Sequence, residues 1–97
     1  MDQLAAMRSF LAVAEEGGFA SAARRLGLAT SSLTRQVDAL ETHLGTKLLN
    51  RSTRSVTLTD AGETFRLSAA HALDTLREAD VAVKEAGGAP SGLLRIS

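Results

Sequence analysis

Residues 29–45 read ATSSLTRQVDALETHLG. Leu33, Val37, Leu40 and Leu44 recur at helical spacing. Stepping by about 100° per residue puts the last three within about 40° of Leu33. They form one buried stripe on a helix from about Thr30 to Leu44, stopped by Gly45. Ser31, Thr34, Arg35, Asp38 and Thr42 fall on the far side, with Thr30 at the edge of that face. Thr30, Ser31, Ser32 and Thr34 crowd the front of this helix although hydroxyl residues are only modest helix formers. Capping needs one hydroxyl, not four, so the others ask for a use outside the helix.

The flanks supply a frame. Upstream, Leu4, Met7, Phe10, Leu11 and Ala14 give helical spacing with one buried face over about Asp2–Glu16, ended by Gly17-Gly18. A short helix follows from about Ala20 to Leu26, burying Ala22, Ala23 and Leu26, with Phe19 as a staple and Gly27 as its break. Two helices joined by a tight glycine turn make a helix-turn-helix pattern, and alanines at 22 and 23 let helices cross closely. Alone this is a weak signal, because many helical hairpins share it.

Downstream, KLLNRSTRSVTLT places the apolar pairs Leu48-Leu49 and Val56-x-Leu58 around a polar stretch, Asn50 to Ser55. That predicts a two-stranded β-hairpin with a basic tip, leaning on the helices because two strands alone are marginal. Thr59-Asp60 then offers N-caps, and Asp60 with Glu63 fits a capping pattern. The helix they open could run to Ala86, about 28 residues or ~42 Å. Phe65, Ala69, Ala72, Leu76, Ala79, Val83 and Ala86 follow a strict heptad. A small domain covers one end of such a seam, so the far end wants a partner; the other reading folds this helix back on its own domain. GGAPSG, residues 87–92, has hinge composition. LLRIS after it looks like a strand cut short, as at the front of something larger.

The expected fold is therefore mainly α. Residues 1–58 form a winged helix-turn-helix of three helices plus a two-stranded wing, residues 59–86 a long linker or dimerisation helix, and residues 87–97 a hinge and the start of a further domain.

Composition narrows the function. The chain has 97 residues, 44% of them hydrophobic and 23% charged, which is ordinary globular material. No apolar run reaches the ~20 residues of a membrane helix, and MDQLAAMRSF does not read as a signal peptide. The absence of cysteine removes disulfides and thiolate metal sites. No membrane partner, metal or cofactor is expected, and a cytoplasmic location is the default. Formal net charge is zero, yet it is unevenly spread. Residues 21–58 carry Arg24, Arg25, Arg35, Lys47, Arg51 and Arg54 against only Asp38 and Glu41, while both flanks are net acidic. A local basic patch can be an electrostatic footprint for nucleic acid, or a solvated surface.

Double-stranded DNA suits the hydroxyl-rich face. A recognition helix enters the major groove with its N-terminal residues at the base edges. Short hydroxyls let the backbone approach closely, a Thr methyl can pack on a thymine methyl, and arginine can grip guanine with two hydrogen bonds. A helix N-terminus also favours phosphate. Asp38 and Glu41 lie further along, where the helix should be leaving the groove. Arg51 and Arg54 on a short wing suit phosphates or a minor groove.

In this order, FxxAARRLGL, SLTRQVDALETHLGTKLLNR and the TLTDAG that opens the long helix resemble the LysR-type transcriptional regulators. The resemblance covers essentially the whole chain, and GLLRIS is similar to the first strand of that family's effector-binding domain. It implies a bacterial winged-helix DNA-binding domain that binds an interrupted palindromic operator as a homodimer through its long helix. Base reading carries over to Thr30, Ser31, Thr34 and Arg35. Contacts of the backbone or wing carry over to Ser21, Ser32, Arg51, Thr53 and Arg54, with Arg51 near phosphates or holding the wing. The dimer interface is expected at Phe65, Ala69, Ala72, Leu76, Ala79 and Val83. A small-molecule effector would bind only through a C-terminal domain that this stretch lacks. Two departures from the family pattern stand out. Ala29 occupies a position usually held by serine, and Thr30-Ser31 replaces a common proline-containing pair, so the helix cap must come from Thr30 or be lost.

Two other classes compete. A helical interaction module that pairs through the heptad helix and ignores DNA explains the seam but not the hydroxyl face or the basic wing. An enzyme finds no support: His43 and His71 are far apart in sequence, and no metal-ligand spacing, nucleophile triad or phosphate loop is present.

Overall fold

A computed structural model describes residues 1–52 and 55–88. The chain orders as α1 (Gln3–Glu16), α2 (Phe19–Leu26), α3 (Thr30–Leu44), β1 (Leu49–Arg51), β2 (Val56–Leu58) and α4 (Asp60–Gly88). This is a winged helix-turn-helix followed by a long helix. The expected cut strand in LLRIS, and most of the expected hinge, lie outside the described residues.

Helix α1 is the axis of the head. The Asp2 carboxylate caps it by accepting from the Ala5 N–H at 3.1 Å. It buries Ala6, Met7, Ser9, Phe10, Ala12 and Val13, a broader band than the stripe expected from the sequence, because α2, α3 and α4 all pack on it. Leu4, expected inside, is 42% exposed in the first turn. Helix α2 buries Ala22 and Ala23, and their small size lets α2 lie close to α1 and α3. Gly27 ends it at φ 69°, a left-handed conformation that side chains resist. That turn sets the Leu28 N–H on the Ala23 carbonyl at 2.9 Å. Helix α3 follows at the expected residues and buries Leu33, Val37 and Leu40 completely.

The wing is antiparallel, with Leu49 opposite Leu58, Asn50 opposite Thr57 and Arg51 opposite Val56. The strand begins one residue later than the apolar pair suggested, since Leu48 goes wholly into the core. Helix α4 extends two residues beyond the expected end, through Gly87-Gly88. Its first turns are part of the head. Phe65 stacks at a tilt on Phe10 with ring centroids 5.7 Å apart, and Ala69 and Leu73 are buried. The remainder projects, which accounts for the 56 Å long axis. No helix among the described residues is long and apolar enough to cross a membrane.

Candidate nucleic-acid interface

Helix α3 leaves Thr30, Ser31 and Arg35 exposed, with Ser32 and Thr34 half-buried at the edges of that face. The cap is lost, the second of the two possibilities that Ala29 leaves open. Ala29 stands at the N-cap with extended backbone, and it offers no side-chain cap to the first-turn N–H groups. The first N–H groups of α3 are therefore left without a side-chain cap, with the positive end of the helix dipole behind them. The Thr34 hydroxyl donates to its own helix, to the Thr30 carbonyl at 2.9 Å, leaving its methyl and lone pairs for the surface. Among the described residues Arg35 makes one long contact, to the Ser32 hydroxyl at 3.4 Å, too weak to commit the guanidinium.

The remaining cations divide sharply. Arg25 donates to Glu15 at 2.6 Å and Glu16 at 3.4 Å, tying α2 to the end of α1. The Glu15 hydrogen bond and charge, with Glu16 adding to both, raise its pKa further above the usual guanidinium value. Arg51 donates to Asp38 at 2.8 Å and Glu41 at 3.1 Å, and its guanidinium lies 4.8 Å from the Phe19 ring centroid. Of the two roles expected for Arg51, phosphate contact and holding the wing, the geometry fits the second. Lys47 sits 3.6 Å from Glu41 but is mostly exposed. Among the described residues Arg24 bonds the Ser21 hydroxyl alone, at 3.3 Å, beside the start of α2. Among the described residues, Arg24 and Arg35 are thus the arginines of α2 and α3 without a carboxylate partner. Thr53 and Arg54, expected at the wing tip, lie outside the described residues. The wing around them is closed by Ser52 and Ser55, the Ser52 N–H reaching the Ser55 carbonyl at 3.1 Å.

Glu41, placed by the sequence where the helix should be leaving the groove, is not a solvated carboxylate. It is 5% exposed. One carboxylate oxygen accepts from the N–H groups of Leu48 at 2.8 Å and Leu49 at 3.2 Å, while the other faces Arg51 and Lys47. The physical reason is angular. Glu41 is eight residues after Leu33, about 80° round the helix, on the flank of the buried stripe where the returning chain covers it. Ser9 was also missed. It is buried and hydrogen-bonds the Gln36 side chain, joining α1 to α3. Its sequence signal was its place between Ala6 and Phe10 on the buried band.

The heptad seam of α4 splits in two. Phe65 and Ala69, expected at a subunit interface, lie in the head, Phe65 half-buried against Phe10 of α1 and Ala69 buried. Ala72, Leu76, Ala79 and Val83 stay on the surface, Leu76 at 38% and Val83 at 71% exposure. His43 and His71 are both exposed, and among the described residues no three His, Asp or Glu side chains gather as metal ligands would.

Residues 4–63 match the family of bacterial regulatory helix-turn-helix proteins of the lysR type. The HTH-type transcriptional regulator PtxR of Pseudomonas aeruginosa is 46% identical over 89 residues, covering 92% of this chain and 28% of its own. The crystal structure of the BenM DNA-binding domain with catB site 1 DNA superposes with a TM-score of 0.88 at 34% identity, covering 94% of this chain and 100% of that one. The CbnR DNA-binding domain in its DNA complex gives a TM-score of 0.83 at 38% identity, over 90% and 99% of the two chains. The chain spans roughly a quarter to a third of the length of PtxR and the next curated relatives that it matches.

Proposed function

Because this chain belongs to the lysR family of bacterial helix-turn-helix regulators, we propose that it is the DNA-reading head of a longer transcriptional regulator. The observation that carries this is the outer face of α3, where an uncapped helix start, exposed Thr30 and Ser31, and an uncommitted Arg35 lie together. Groove-facing helices use such a surface. Free N–H groups hold phosphate, hydroxyls permit close approach, and the guanidinium grips guanine. Thr34 adds a methyl for thymine, and Ser21, Arg24 and Ser32 flank it for the sugar-phosphate backbone. BenM and CbnR are solved with DNA on domains of this fold and length, which supports the same partner here. Neither of those complexes favours an interaction module indifferent to DNA. The relatives named are regulators, which supports a role without catalysis, exercised where the chromosome is, in the cytoplasm.

Two copies would pair through the free half of the α4 seam, Ala72, Leu76, Ala79 and Val83, and read an interrupted palindrome. Effector binding would belong to residues beyond this chain. Titrating a labelled duplex against the chain at several salt concentrations tests the DNA reading. Affinity should fall linearly on a log–log plot as counterions are released. Absence of binding even at low salt would refute it.

A further inference from the structure

The peptide segment Lys47–Leu49 is gripped from both sides. From α3, the Glu41 carboxylate accepts from the N–H groups of Leu48 and Leu49 at 2.8 and 3.2 Å. From the start of α4, the Thr59 N–H donates to the Leu48 carbonyl at 3.0 Å and the Thr59 hydroxyl donates to the Lys47 carbonyl at 2.7 Å. The same hydroxyl caps α4 by accepting from the Gly62 N–H at 2.9 Å. Gly62 is pressed so closely on this segment that a Cβ there would meet the Leu48 carbonyl oxygen at 2.0 Å.

Helix α4 has another attachment to the head, the apolar contact of Phe65, Ala69 and Leu73 with α1. Apolar burial is non-directional. Hydrogen bonds fix direction. The clasp from Glu41 to Thr59 is thus the oriented link between the reading helix and the helix that projects from the head.

We propose that this clasp fixes the swing of α4 relative to α3, and so sets the spacing between the two half-sites that a paired molecule reads. Glu41 and Thr59 are then positioning residues for site geometry, one step behind the residues that touch DNA. The spacing part rests on the DNA reading above; the swing does not. The leverage is sufficient. The molecule measures 25 and 21 Å along its two shorter axes. Rocking by about 10° over a ~20 Å arm moves a reading helix by about 3.5 Å, the rise of one base pair.

The chain has no cysteine, so Thr42→Cys on α3 and Asp80→Cys on α4, both exposed, accept a pair of spin labels for a distance measurement without DNA, with the labelled chain diluted in an excess of unlabelled chain so that only the distance within one copy is read. The expected result is one narrow distance distribution for the otherwise unaltered chain. Thr59→Val, which keeps the shape and removes the hydroxyl, should broaden it. Glu41→Gln, which keeps an acceptor and drops the charge, should broaden it less, and Thr59→Ser should leave it narrow. On duplexes carrying two half-sites at a series of spacers, Thr59→Val should lose the preference for one spacer while its affinity for a single half-site is unchanged. A narrow distribution in variants that still melt cooperatively would overturn the proposal. So would loss of cooperative melting in both Thr59→Val and Glu41→Gln, since these residues would then hold the fold and not the swing. Broadened distances with an unchanged spacer preference would overturn the spacing claim. Failure of the unaltered chain to bind any duplex would overturn the DNA reading and the spacing claim with it, while the distance result would still decide the swing.

Discussion

Glu41 and Leu48 meet at 2.8 Å, a buried carboxylate oxygen against a backbone N–H seven residues on. This contact turns the chain back from α3 into the wing and neutralises amides that would otherwise be buried unpaired. Glu41→Ala should therefore cost about 3 kcal/mol of folding stability, from two lost hydrogen bonds to a charged acceptor that leave buried N–H groups unpaired. Urea unfolding with an unchanged slope checks it. A loss of only a few tenths would mean that the carboxylate is solvated in solution.

Glycines 62 and 87 should respond in opposite directions. A Cβ at Gly62 meets the backbone of Leu48, which cannot move aside like a flexible side chain. Gly62→Ala should destabilise by about 3 kcal/mol or more through overpacking. At Gly87 a Cβ meets nothing within 4 Å, so Gly87→Ala should be neutral or stabilising by up to ~1 kcal/mol. Melting temperatures of the two variants, measured side by side, decide both.

The uncapped start of α3 invites repair. Ala29 already has the extended backbone of an N-cap, φ −67° and ψ 142°. Ala29→Ser should supply the hydroxyl and raise stability by about 1 kcal/mol, read as an increased urea midpoint. No gain would mean that the first-turn N–H groups are satisfied by another route.

These positions show how far the sequence could be read. The helix from Thr30 to Leu44 was legible to the residue because its apolar stripe is regular and a glycine closes it. Its outward face was legible for the same reason, as the complement of the stripe. Glu41 and Arg51 were not, because their roles depend on where the chain returns after Gly45, and a helical wheel carries no information about that return. The heptad in α4 was real as a pattern but mixed two environments. Phe65 and Ala69 meet α1, whereas Leu76 and Val83 do not, and periodicity alone does not say how much of a helix the head will cover.

That division gives a prediction for assembly. Leu76→Asp should abolish pairing in sedimentation while leaving urea unfolding of the head nearly unchanged, because Leu76 lies beyond the core. Phe65→Ala should do the reverse and cost about 3–4 kcal/mol of head stability. Dimer loss from Phe65→Ala with an intact head would contradict the split seam.

The arginines should separate by role. Arg35→Ala should lose about 1–3 kcal/mol of discrimination between the preferred site and a scrambled one. Arg24→Ala should weaken every duplex alike and lower the salt slope by about one. Arg51→Ala should lower the melting temperature of the free protein, since its guanidinium is held by Asp38, Glu41 and Phe19. An Arg51→Ala chain of full stability that bound DNA poorly would return that residue to the interface.

The most direct test of the central claim is selection from a random duplex pool at physiological salt with the 97-residue chain. If the outer face of α3 reads bases, the recovered DNA will carry an interrupted palindrome, its half-sites about one helical turn apart, and Arg35→Ala will blur the bases within each half-site. A recovered pool no different in sequence from the starting one would contradict it.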